Sequence, residues 1–364
     1  MAEDLLLHLI EPAAWRAALR DGALPPGPDG FVHLSTADQV DLPAARLFPG
    51  RRDLVLLVVD PSRLTDPVRF EPGVPTDPAS MRFPHLYGPL PAGAVVAVVP
   101  YRPPSPVVLP SPGDALGRAV AYYTSLAIRR AVGVGDVPGG VAVLDPDHAL
   151  SRDNNRLLLT TPVDAATVEE TAEEVGGNAG WPHRSAGLFW PGAADVAARL
   201  ARRGWETEEL LLMARPAGPG AEGPRGEVVD QRQVHEFWES GWRRDLTDVR
   251  DVDSAVAQLV GREHLNDRVV AVTDVVVREG SRVVAAAQLR VDGATAAVDS
   301  VMTDPAARGL GHGDAVLARA LDLAAGAGCD LVVLEAAAQD WPRHWYARRG
   351  FEVVGSVWDV VLRL

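Results

Sequence analysis

The chain of 364 residues contains no lysine, so all 35 of its basic side chains are arginine. A phosphate-binding Walker loop ends in Gly-Lys-Ser or Gly-Lys-Thr, and the absence of lysine therefore excludes that class of nucleotide-binding loop. The single cysteine, Cys329, excludes an intrachain disulfide and a zinc site built from several cysteines. We find no signal-peptide pattern and no apolar run of membrane-spanning length, and we therefore expect a cytoplasmic protein with no membrane contact.

Acidic residues outnumber basic ones, and the net charge is −14. This balance argues against nonspecific binding to nucleic acids or to anionic membranes, and it mildly favours cationic substrates. Apolar residues make up 47% of the chain, which is enough for sizeable cores. The length predicts two or three domains.

A glycine-rich stretch organises the second half of the chain. Residues 297–303 are small, apolar or β-branched and predict a buried strand that ends before Pro305, while residues 314–327 repeat apolar side chains at helical spacing. The turn between them contains one arginine and three glycines: Arg308, Gly309, Gly311 and Gly313. Free backbone N–H groups and the helix dipole at such a turn favour an anion, so we predict a pyrophosphate-binding cradle.

The flanking sequence decides between two kinds of glycine-rich cradle. A dinucleotide fingerprint needs Gly-x-Gly-x-x-Gly, and the spacing Gly309-x-Gly311-x-Gly313 does not match it. A second buried strand is predicted at 330–337, followed by a short helix that Asp340 begins and Gly350 ends, and by a last strand at 351–361.

This order of elements, with Arg308-x-x-Gly311-x-Gly313 and Tyr346-x-x-x-Gly350-Phe351, resembles the GNAT acyl-CoA N-acetyltransferases. The resemblance covers residues 227–364, including helices predicted at 230–244 and 254–264 and a hairpin predicted from 268 to 291. It implies a GNAT fold with a mixed central sheet flanked by helices, and direct transfer of an acetyl group from acetyl-CoA to an amine of a small molecule or peptide. No metal is implied.

The resemblance also implies roles for particular residues. Tyr346 occupies the position of the general acid, although its hydroxyl could instead only pack on the cofactor. Asp299 and Glu335 lie on adjacent predicted strands, and either could accept the proton of the amine, directly or through water. Gln339 stands near the place where many relatives have an asparagine. The residues expected to contact acetyl-CoA are Val301, Met302, Thr303, Arg308, Gly309, Leu310, Gly311, His312, Gly313 and Gln339.

Residues 1–102 predict a separate α+β unit with short elements. The phrases Leu7-His8-Leu9, Gly30-Phe31-Val32-His33-Leu34-Ser35 and Phe83-Pro84-His85-Leu86-Tyr87 resemble domain-of-unknown-function family 952, which is thought to share the ADP-ribosyltransferase-like fold. The resemblance implies a nucleotide cleft lined by His8, His33, Ser35 and Tyr87. The competing interpretation is an inert or regulatory module in which the histidine and serine side chains form ordinary hydrogen bonds.

A proline-rich linker is predicted at 103–113, and a second flexible stretch at 217–226. Residues 114–216 are interpreted as a degenerate GNAT-like unit, because residues 196–205 resemble the Tyr346 segment, although no glycine-rich turn precedes a helix there. We expect this unit to bind no CoA and to serve a structural or substrate-shaping role. Asp153-Asn154-Asn155 could be a substrate contact, but we expect it to form an exposed turn. We also expect residues 209–214 to supply a possible first strand to the C-terminal unit, and a chain starting near Asp114 to be soluble and to bind acetyl-CoA.

Two functional hypotheses from different classes follow from these features. The first is an acetyl-CoA-dependent N-acetyltransferase, with residues 227–364 as the catalytic domain. The second is a non-catalytic protein that senses or binds acyl-CoA and whose first unit carries the output. An ADP-ribosyl-type activity of residues 1–102 is a third, minor hypothesis. Turnover with release of a free thiol separates the first hypothesis from the second.

Overall fold

The computed structural model describes residues 5–73, 78, 80–246 and 251–364. In the first unit, strand β4 is apolar and buried at every position, as expected for the centre of a sheet. It lies between β1 and β8, while β3, β6 and β5 form a second sheet and β2 and β7 a third. The elements are β1 (Leu6–Ile10), α1 (Pro12–Asp21), β2 (Ala23–Leu24), β3 (Val32–His33), α2 (Asp41–Leu47), β4 (Leu54–Val59), β5 (Val68–Pro72), β6 (Arg82–Leu86), β7 (Leu90–Pro91) and β8 (Val95–Tyr101).

The middle unit begins with a long helix, which Asp114 caps by accepting a hydrogen bond from the N–H of Gly117. Its elements are α3 (Ala115–Arg130), β9 (Gly133–Val137), β10 (Gly140–Leu144), β11 (Arg156–Leu159), α4 (Ala165–Ala179), β12 (His183–Leu188), α5 (Ala194–Ala201) and β13 (Glu206–Pro216). Strands β9, β10 and β11 run antiparallel, and β12 returns parallel to β11 after the crossover helix α4.

The C-terminal unit repeats this order. Its elements are β14 (Glu227–Val229), α6 (His235–Asp245), α7 (Val252–Gly261), α8 (Glu263–Asn266), β15 (Ala271–Glu279), β16 (Arg282–Asp292), β17 (Thr295–Thr303), α9 (His312–Gly326), β18 (Leu331–Ala337), α10 (Pro342–Ala347) and β19 (Glu352–Arg363). Strands β15, β16 and β17 run antiparallel, and β18 returns parallel to β17 after the crossover helix α9. The two units therefore share one plan.

The middle and C-terminal units build a single sheet of 11 strands, in the order β14-β15-β16-β17-β18-β13-β19-β12-β11-β10-β9. Strand β13, from the middle unit, lies between β18 and β19 of the C-terminal unit. Strand β19 in turn pairs with β12 of the middle unit. We expected residues 209–214 to be a possible first strand of the C-terminal sheet, but they belong to an interior strand that connects the two halves.

Helices cover both faces of this sheet. On one face α3 packs on a core that includes Tyr122, Leu158, Val333 and Val357. On the other face α4 and α5 cover the middle unit, and α9 and α10 cover the C-terminal unit. Side chains from both units thus contribute to the core beneath α3, so neither half of the sheet is complete without the other.

The first unit is docked on this sheet through a buried arginine of α3. Arg118 is 2% exposed, and its guanidinium donates to the carbonyl oxygen of Val96 at 3.1 Å, to Thr295 Oγ1 at 2.8 Å and to Asp330 Oδ1 at 2.5 Å. It also donates to the carbonyl oxygen of Pro112, in the proline-rich segment, at 2.9 Å. Residues 103–113 therefore take part in the contact between the first unit and the sheet, and removing residues 1–113 would take away two acceptors of Arg118, the carbonyl oxygens of Val96 and Pro112.

A second buried contact reinforces the interface between the first unit and the sheet. The indole N–H of Trp15, on α1, donates to Asp292 Oδ1 at 2.7 Å, and Arg129 of α3 forms an ion pair with the same carboxylate. Trp15 is fully buried, so its N–H requires an acceptor inside the protein. Through the shared carboxylate of Asp292, α1, α3 and β16 are thus held together.

Replacing the buried arginine should destabilise the whole chain. Arg118→Ala removes a buried guanidinium and its hydrogen bonds to three segments of the chain, so the free energy of unfolding should fall by about 3 kcal/mol or more, measured by urea denaturation. Arg20→Ala, which removes an exposed ion pair with Asp21, is the control and should change stability by less than about 0.5 kcal/mol. Equal stabilities of the two variants would contradict the role given to Arg118.

Candidate active site

The candidate site lies where two parallel strands separate. Strands β17 and β18 pair only from Thr295 to Ala297, opposite residues 331–333. The rest of β17, from Val298 to Thr303, has no strand on that side and leaves a free edge of backbone groups. A cleft therefore opens between the two strands, in the middle of the large sheet.

A bulge in β17 shapes one wall of this cleft. The register between β16 and β17 shifts between Ala286 and Gln288, and opposite this shift Ser300 has a φ of 52°. A left-handed conformation is uncommon for a serine and needs compensating contacts. Here both the backbone N–H and the hydroxyl of Ser300 donate to Asp299 Oδ1, at 2.5 and 3.2 Å.

The glycine-rich turn lies at the end of β17 and begins α9, as the sequence predicts. Gly309 and Gly311 have φ values of 78° and 83°, which side chains with a Cβ rarely adopt, and nothing lies within 4 Å of the space that a Cβ would fill. Among the described residues, no protein acceptor is found for the backbone N–H groups of Gly309, Leu310 and Gly311. The first N–H groups of α9 add further free donors, so the turn fits a pyrophosphate.

Other side chains expected at the cofactor flank this turn. Arg308 is exposed, and its Nε lies 3.4 Å from the carbonyl oxygen of Thr303. Leu310 is 65% exposed, and His312 contacts Glu279 at 3.1 Å, which ties the start of α9 to the turn between β15 and β16. Gly313 lies against Thr303 and Trp345, so α10 packs directly beside the cradle.

Two further residues expected at the cofactor lie on β17 on either side of the sheet. Val301 packs against the core that contains Tyr346. Met302 packs against the core beneath α6 and also lines a cavity described below. Only their backbone groups, on the free edge of the strand, are placed to contact a ligand in the cleft.

Tyr346 lies on α10 and is 8% exposed. Its ring makes edge-on contacts with Trp345 at 4.9 Å and with Phe351 at 5.7 Å. Burial and the negative charge of Asp299 raise the pKa of Tyr346, so its hydroxyl stays protonated. No protein partner of the hydroxyl is found in the described ranges, which leaves its proton available to a ligand.

The two candidate bases differ in their surroundings. Asp299 accepts hydrogen bonds on both oxygens, from Arg290 at 2.5 Å and from Ser300. Glu335, on β18, has no hydrogen bond or ion pair to any described residue. Burial, with repulsion from Asp359, raises the pKa of Glu335 to about 8. Glu335 is therefore the carboxyl that is free to take up a proton near neutral pH.

Asp299 and Glu335 line the same cavity, of about 380 Å³. Its other walls come from α3, from the loop before β11, from α6 and α8, and from β16 and β19. The charged side chains that line it are Arg130, Asp153, Arg156, Asp245, Arg262, Glu263, Arg290, Asp299, Glu335 and Asp359. The cavity thus combines residues of the middle and C-terminal units on the side of β18 where Glu335 points.

A wider groove of about 1440 Å³ adjoins this cavity and shares Asp153, Arg156, Arg262 and Asp359 with it. Gln339 lines the groove beyond the end of β18, together with Glu208 of β13. The groove and the cavity are thus adjacent and share these side chains as a common wall.

Several of these residues were missed from the sequence. Asp153 was interpreted as part of an exposed turn, but Asn154 and Asn155 are buried at 2% each and hold that turn through hydrogen bonds to Asp145. Asp359 interrupts an apolar strand, which is a usable signal for a functional carboxylate. Arg130 and Arg262 lie on helices with no distinguishing pattern, so nothing in the sequence marks them.

Of the residues expected to form a site in the first unit, His33 and Tyr87 contact the ring of Phe31, with 4.8 and 5.4 Å between ring centroids. His8 Nδ1 contacts the carbonyl oxygen of His33 at 2.7 Å, and Tyr87 donates to Glu71 at 2.6 Å. Ser35 is held by backbone hydrogen bonds to Leu7. His85, which the sequence did not single out as a site residue, stacks on Phe31 at 4.1 Å, and both of its ring nitrogens are buried without a hydrogen bond.

Comparison with known proteins identifies two family regions. The family described as protein of unknown function (DUF952) matches residues 9–98, and the acetyltransferase (GNAT) family matches residues 234–351. No curated protein is a significant match. Across the described residues, no helix is long and apolar enough to cross a membrane, and no group of three or more His, Cys, Asp or Glu side chains is arranged to hold a metal ion.

Solved structures similar to this chain include proteins from three bacteria. A functionally unknown conserved protein of Staphylococcus epidermidis is 13% identical, with 63% of this chain and 92% of that one covered and a TM-score of 0.51. A GCN5-related N-acetyltransferase of Kribbella flavida is 21% identical, with 69% and 96% covered and a TM-score of 0.47. A Caulobacter crescentus protein is 32% identical, with 26% and 84% covered and a TM-score of 0.24. The first similarity shows a shared fold.

A bulky side chain at the glycine-rich turn should abolish acetyl-CoA binding. Gly311→Leu both strains a backbone with a φ of 83° and places a side chain among the free N–H groups, so affinity measured by titration calorimetry should fall by more than about tenfold. The matched control is Gly180→Leu, because Gly180 also has a positive φ, of 68°, but ends α4 far from the cleft. Unchanged affinity in a folded Gly311 variant would contradict the cradle.

The same titration should give one acetyl-CoA per chain. The N-terminus of α4, which corresponds to that of α9, is capped by the carboxylate of Asp164, and this repels an anion.

Proposed function

Since the chain contains a GNAT acetyltransferase domain at residues 234–351, preceded by a DUF952 domain at residues 9–98, we propose that it transfers an acetyl group from acetyl-CoA to a primary amine. One observation carries the proposal. The cleft between β17 and β18 has, at one end, backbone donors without an acceptor among the described residues and, beside it, a half-buried carboxyl, Glu335, for which the described residues supply no hydrogen-bond or ion-pair partner. An anion cradle next to an unpaired base suits acyl transfer from a thioester.

The residues that would hold acetyl-CoA are those of the turn and the free edge of β17. The N–H groups of Gly309, Leu310 and Gly311, with those at the start of α9, would bind the pyrophosphate, and Arg308 would lie at its exposed side. The unpaired backbone of residues 298–303 would bind the pantetheine by extending the sheet. When bound, acetyl-CoA supplies an activated acyl carbon.

An attacking amine must first lose a proton. Glu335 is the better of the two candidate bases, because Asp299 is already held by Arg290 and Ser300 while Glu335 is free. With a pKa of about 8, Glu335 titrates close to the working range and can accept a proton from a bound ammonium group, directly or through water.

Formation of the new N–C bond and cleavage of the C–S bond leave a thiolate that needs a proton. Tyr346 would donate it, since burial keeps its hydroxyl protonated and no described side chain competes for that proton. Donors at the point where β17 and β18 separate would stabilise the charge that develops on the carbonyl oxygen.

For the DUF952 region the proposals concern its fold and a nucleotide-binding cleft. An ADP-ribosyltransferase-like fold and a nucleotide cleft stay predictions, and the contacts of the His33 and Tyr87 rings with Phe31 support such a cleft. A cytoplasmic location is likewise proposed.

Release of free thiol on adding an amine distinguishes an acetyltransferase from a protein that only senses acyl-CoA.

The base should be visible in the pH dependence of turnover. The ionised form of Glu335 is the active one, and its pKa is raised to about 8, so kcat/KM should increase as the pH rises through 8 and level off above it. Glu335→Gln should remove this dependence and lower kcat. Asp299→Asn is the comparison, and it should keep the dependence on pH. If instead Asp299→Asn removes the dependence on pH and Glu335→Gln keeps it, the base is Asp299.

Loss of the tyrosine hydroxyl should slow turnover without weakening cofactor binding. Tyr346→Phe keeps the ring contacts but removes the proton donor, so kcat should fall by about 10²-fold or more, with the dissociation constant of acetyl-CoA nearly unchanged. Tyr101→Phe, which removes a hydroxyl bonded to Asp41 in the first unit, is the matched control. Equal turnover of the Tyr346 variant and the wild type would show that another group protonates the thiolate.

A further inference from the structure

Three arginines form one wall of the 380 Å³ cavity: Arg130, Arg156 and Arg262. They come from α3, from β11 and from the residue between α7 and α8. Asp153 lies among them. Burial opposes ionisation of Asp153, but the charges of the three arginines outweigh that effect and hold the pKa of its carboxyl well below the usual range. This wall is therefore an ionised cluster that spans the middle and C-terminal units.

The acidic groups within the cluster do not use all of its donors. Arg262 Nη1 contacts Asp153 Oδ2 at 2.7 Å, and Arg156 Nη1 donates to Asp359 Oδ1 at 3.1 Å. The Nη2 groups of both arginines have no protein acceptor among the described residues, and the Nε atoms of all three arginines are buried without a hydrogen bond. Because the side chains of Arg156 and Arg262 are only 12% and 11% exposed, these open donors face the cavity rather than bulk water.

The carboxylates beside the arginine wall balance its charge but leave donors open. Asp153 and Asp359 pair with Arg156 and Arg262, and Glu263 lies 3.5 Å from Arg262 Nε. Buried donors without acceptors are costly, so such a wall is built to receive an anion or another strong acceptor.

The other charged groups of the cavity are mainly acidic. There Arg290 is shared between Glu263, at 2.8 Å, and Asp299, so two carboxylates surround one guanidinium. Glu335 adds a further carboxyl, which has no hydrogen-bond or ion-pair partner among the described residues. The cavity therefore combines open guanidinium donors on Arg156 and Arg262 with the carboxyl of Glu335.

Resting on the proposed function, we propose that the acceptor is a small amino acid, whose amine lies at Glu335 and whose carboxylate lies on Arg156 and Arg262. The enclosed volume, of about 380 Å³, matches a small molecule rather than a folded protein surface. The middle unit therefore sets the choice of acceptor, although it has no cradle for acetyl-CoA.

The test compares amino acids with the amines that lack only the carboxylate. Lysine and cadaverine, histidine and histamine, and tryptophan and tryptamine are titrated into the full-length protein saturated with CoA, and phosphoethanolamine with ethanolamine forms the phosphate arm. At least one amino acid should bind about tenfold or more tightly than its matched amine, the effect of well-made charge-assisted hydrogen bonds. Thiol release with acetyl-CoA is measured separately for each pair.

Variants locate the preference in the arginine wall. Arg262→Gln should abolish the preference for the carboxylate while leaving binding of the matched amine unchanged, and Arg262→Lys should restore part of it. Arg152→Gln is the control, because Arg152 lines the wider groove but not the cavity. The thermal midpoint of each variant shows whether it is folded.

The possible outcomes separate this inference from the proposed function. If no amino acid binds more tightly than its amine, or if Arg262→Gln keeps the preference, the inference is wrong. A preference for phosphoethanolamine alone also overturns it in favour of a phosphate. Binding of amino acids without thiol release would leave the inference standing and refute acetyl transfer. Thiol release that is faster with the amines than with the amino acids would refute the inference and leave acetyl transfer standing.

Discussion

The architecture depends on one buried guanidinium. Arg118, on α3, binds a carbonyl oxygen of the first unit, a carbonyl oxygen of the proline-rich segment, and Thr295 and Asp330 of the C-terminal unit. A charge at 2% exposure is tolerated only where its donors are satisfied, so these segments must be assembled around it. Because α3 also covers the core shared by both halves of the large sheet, the position of this helix fixes the three units relative to one another.

The exchange of strands has a direct consequence for the candidate site. Since β13 lies between β18 and β19, and β19 pairs with β12, the loop before β11 comes to lie opposite Glu335. A C-terminal unit by itself would have an open face there. The middle unit closes it with Arg130, Asp153 and Arg156. The middle unit, which shares the strand order of the C-terminal unit, thus forms part of the wall of the 380 Å³ cavity.

The sequence predicted those features whose residues are contiguous in the chain. The turn at Gly309 and Gly311, the strand before it and the helix after it are contiguous, so their spacing alone indicates the cradle. The 380 Å³ cavity could not be predicted in this way, because its residues come from eight helices and strands of both units, which the pairing of β13 and β19 brings together. The turn at Asp153 was misjudged for the same reason. Its polar residues are typical of an exposed loop, yet Asn154 and Asn155 satisfy their hydrogen bonds internally and are buried.

Net charge is a poor guide to the acceptor for a related reason. The chain carries −14 overall, yet four arginines line the cavity together with six carboxyl groups. At short range in a buried site these local charges outweigh the screened charge of the surface. An ammonium group beside Glu335 would also favour the ionised carboxylate and lower its pKa from about 8 towards neutrality. Binding of the amine and ionisation of the carboxyl would then be coupled, so the carboxylate form that can accept a proton is favoured when an ammonium group is bound.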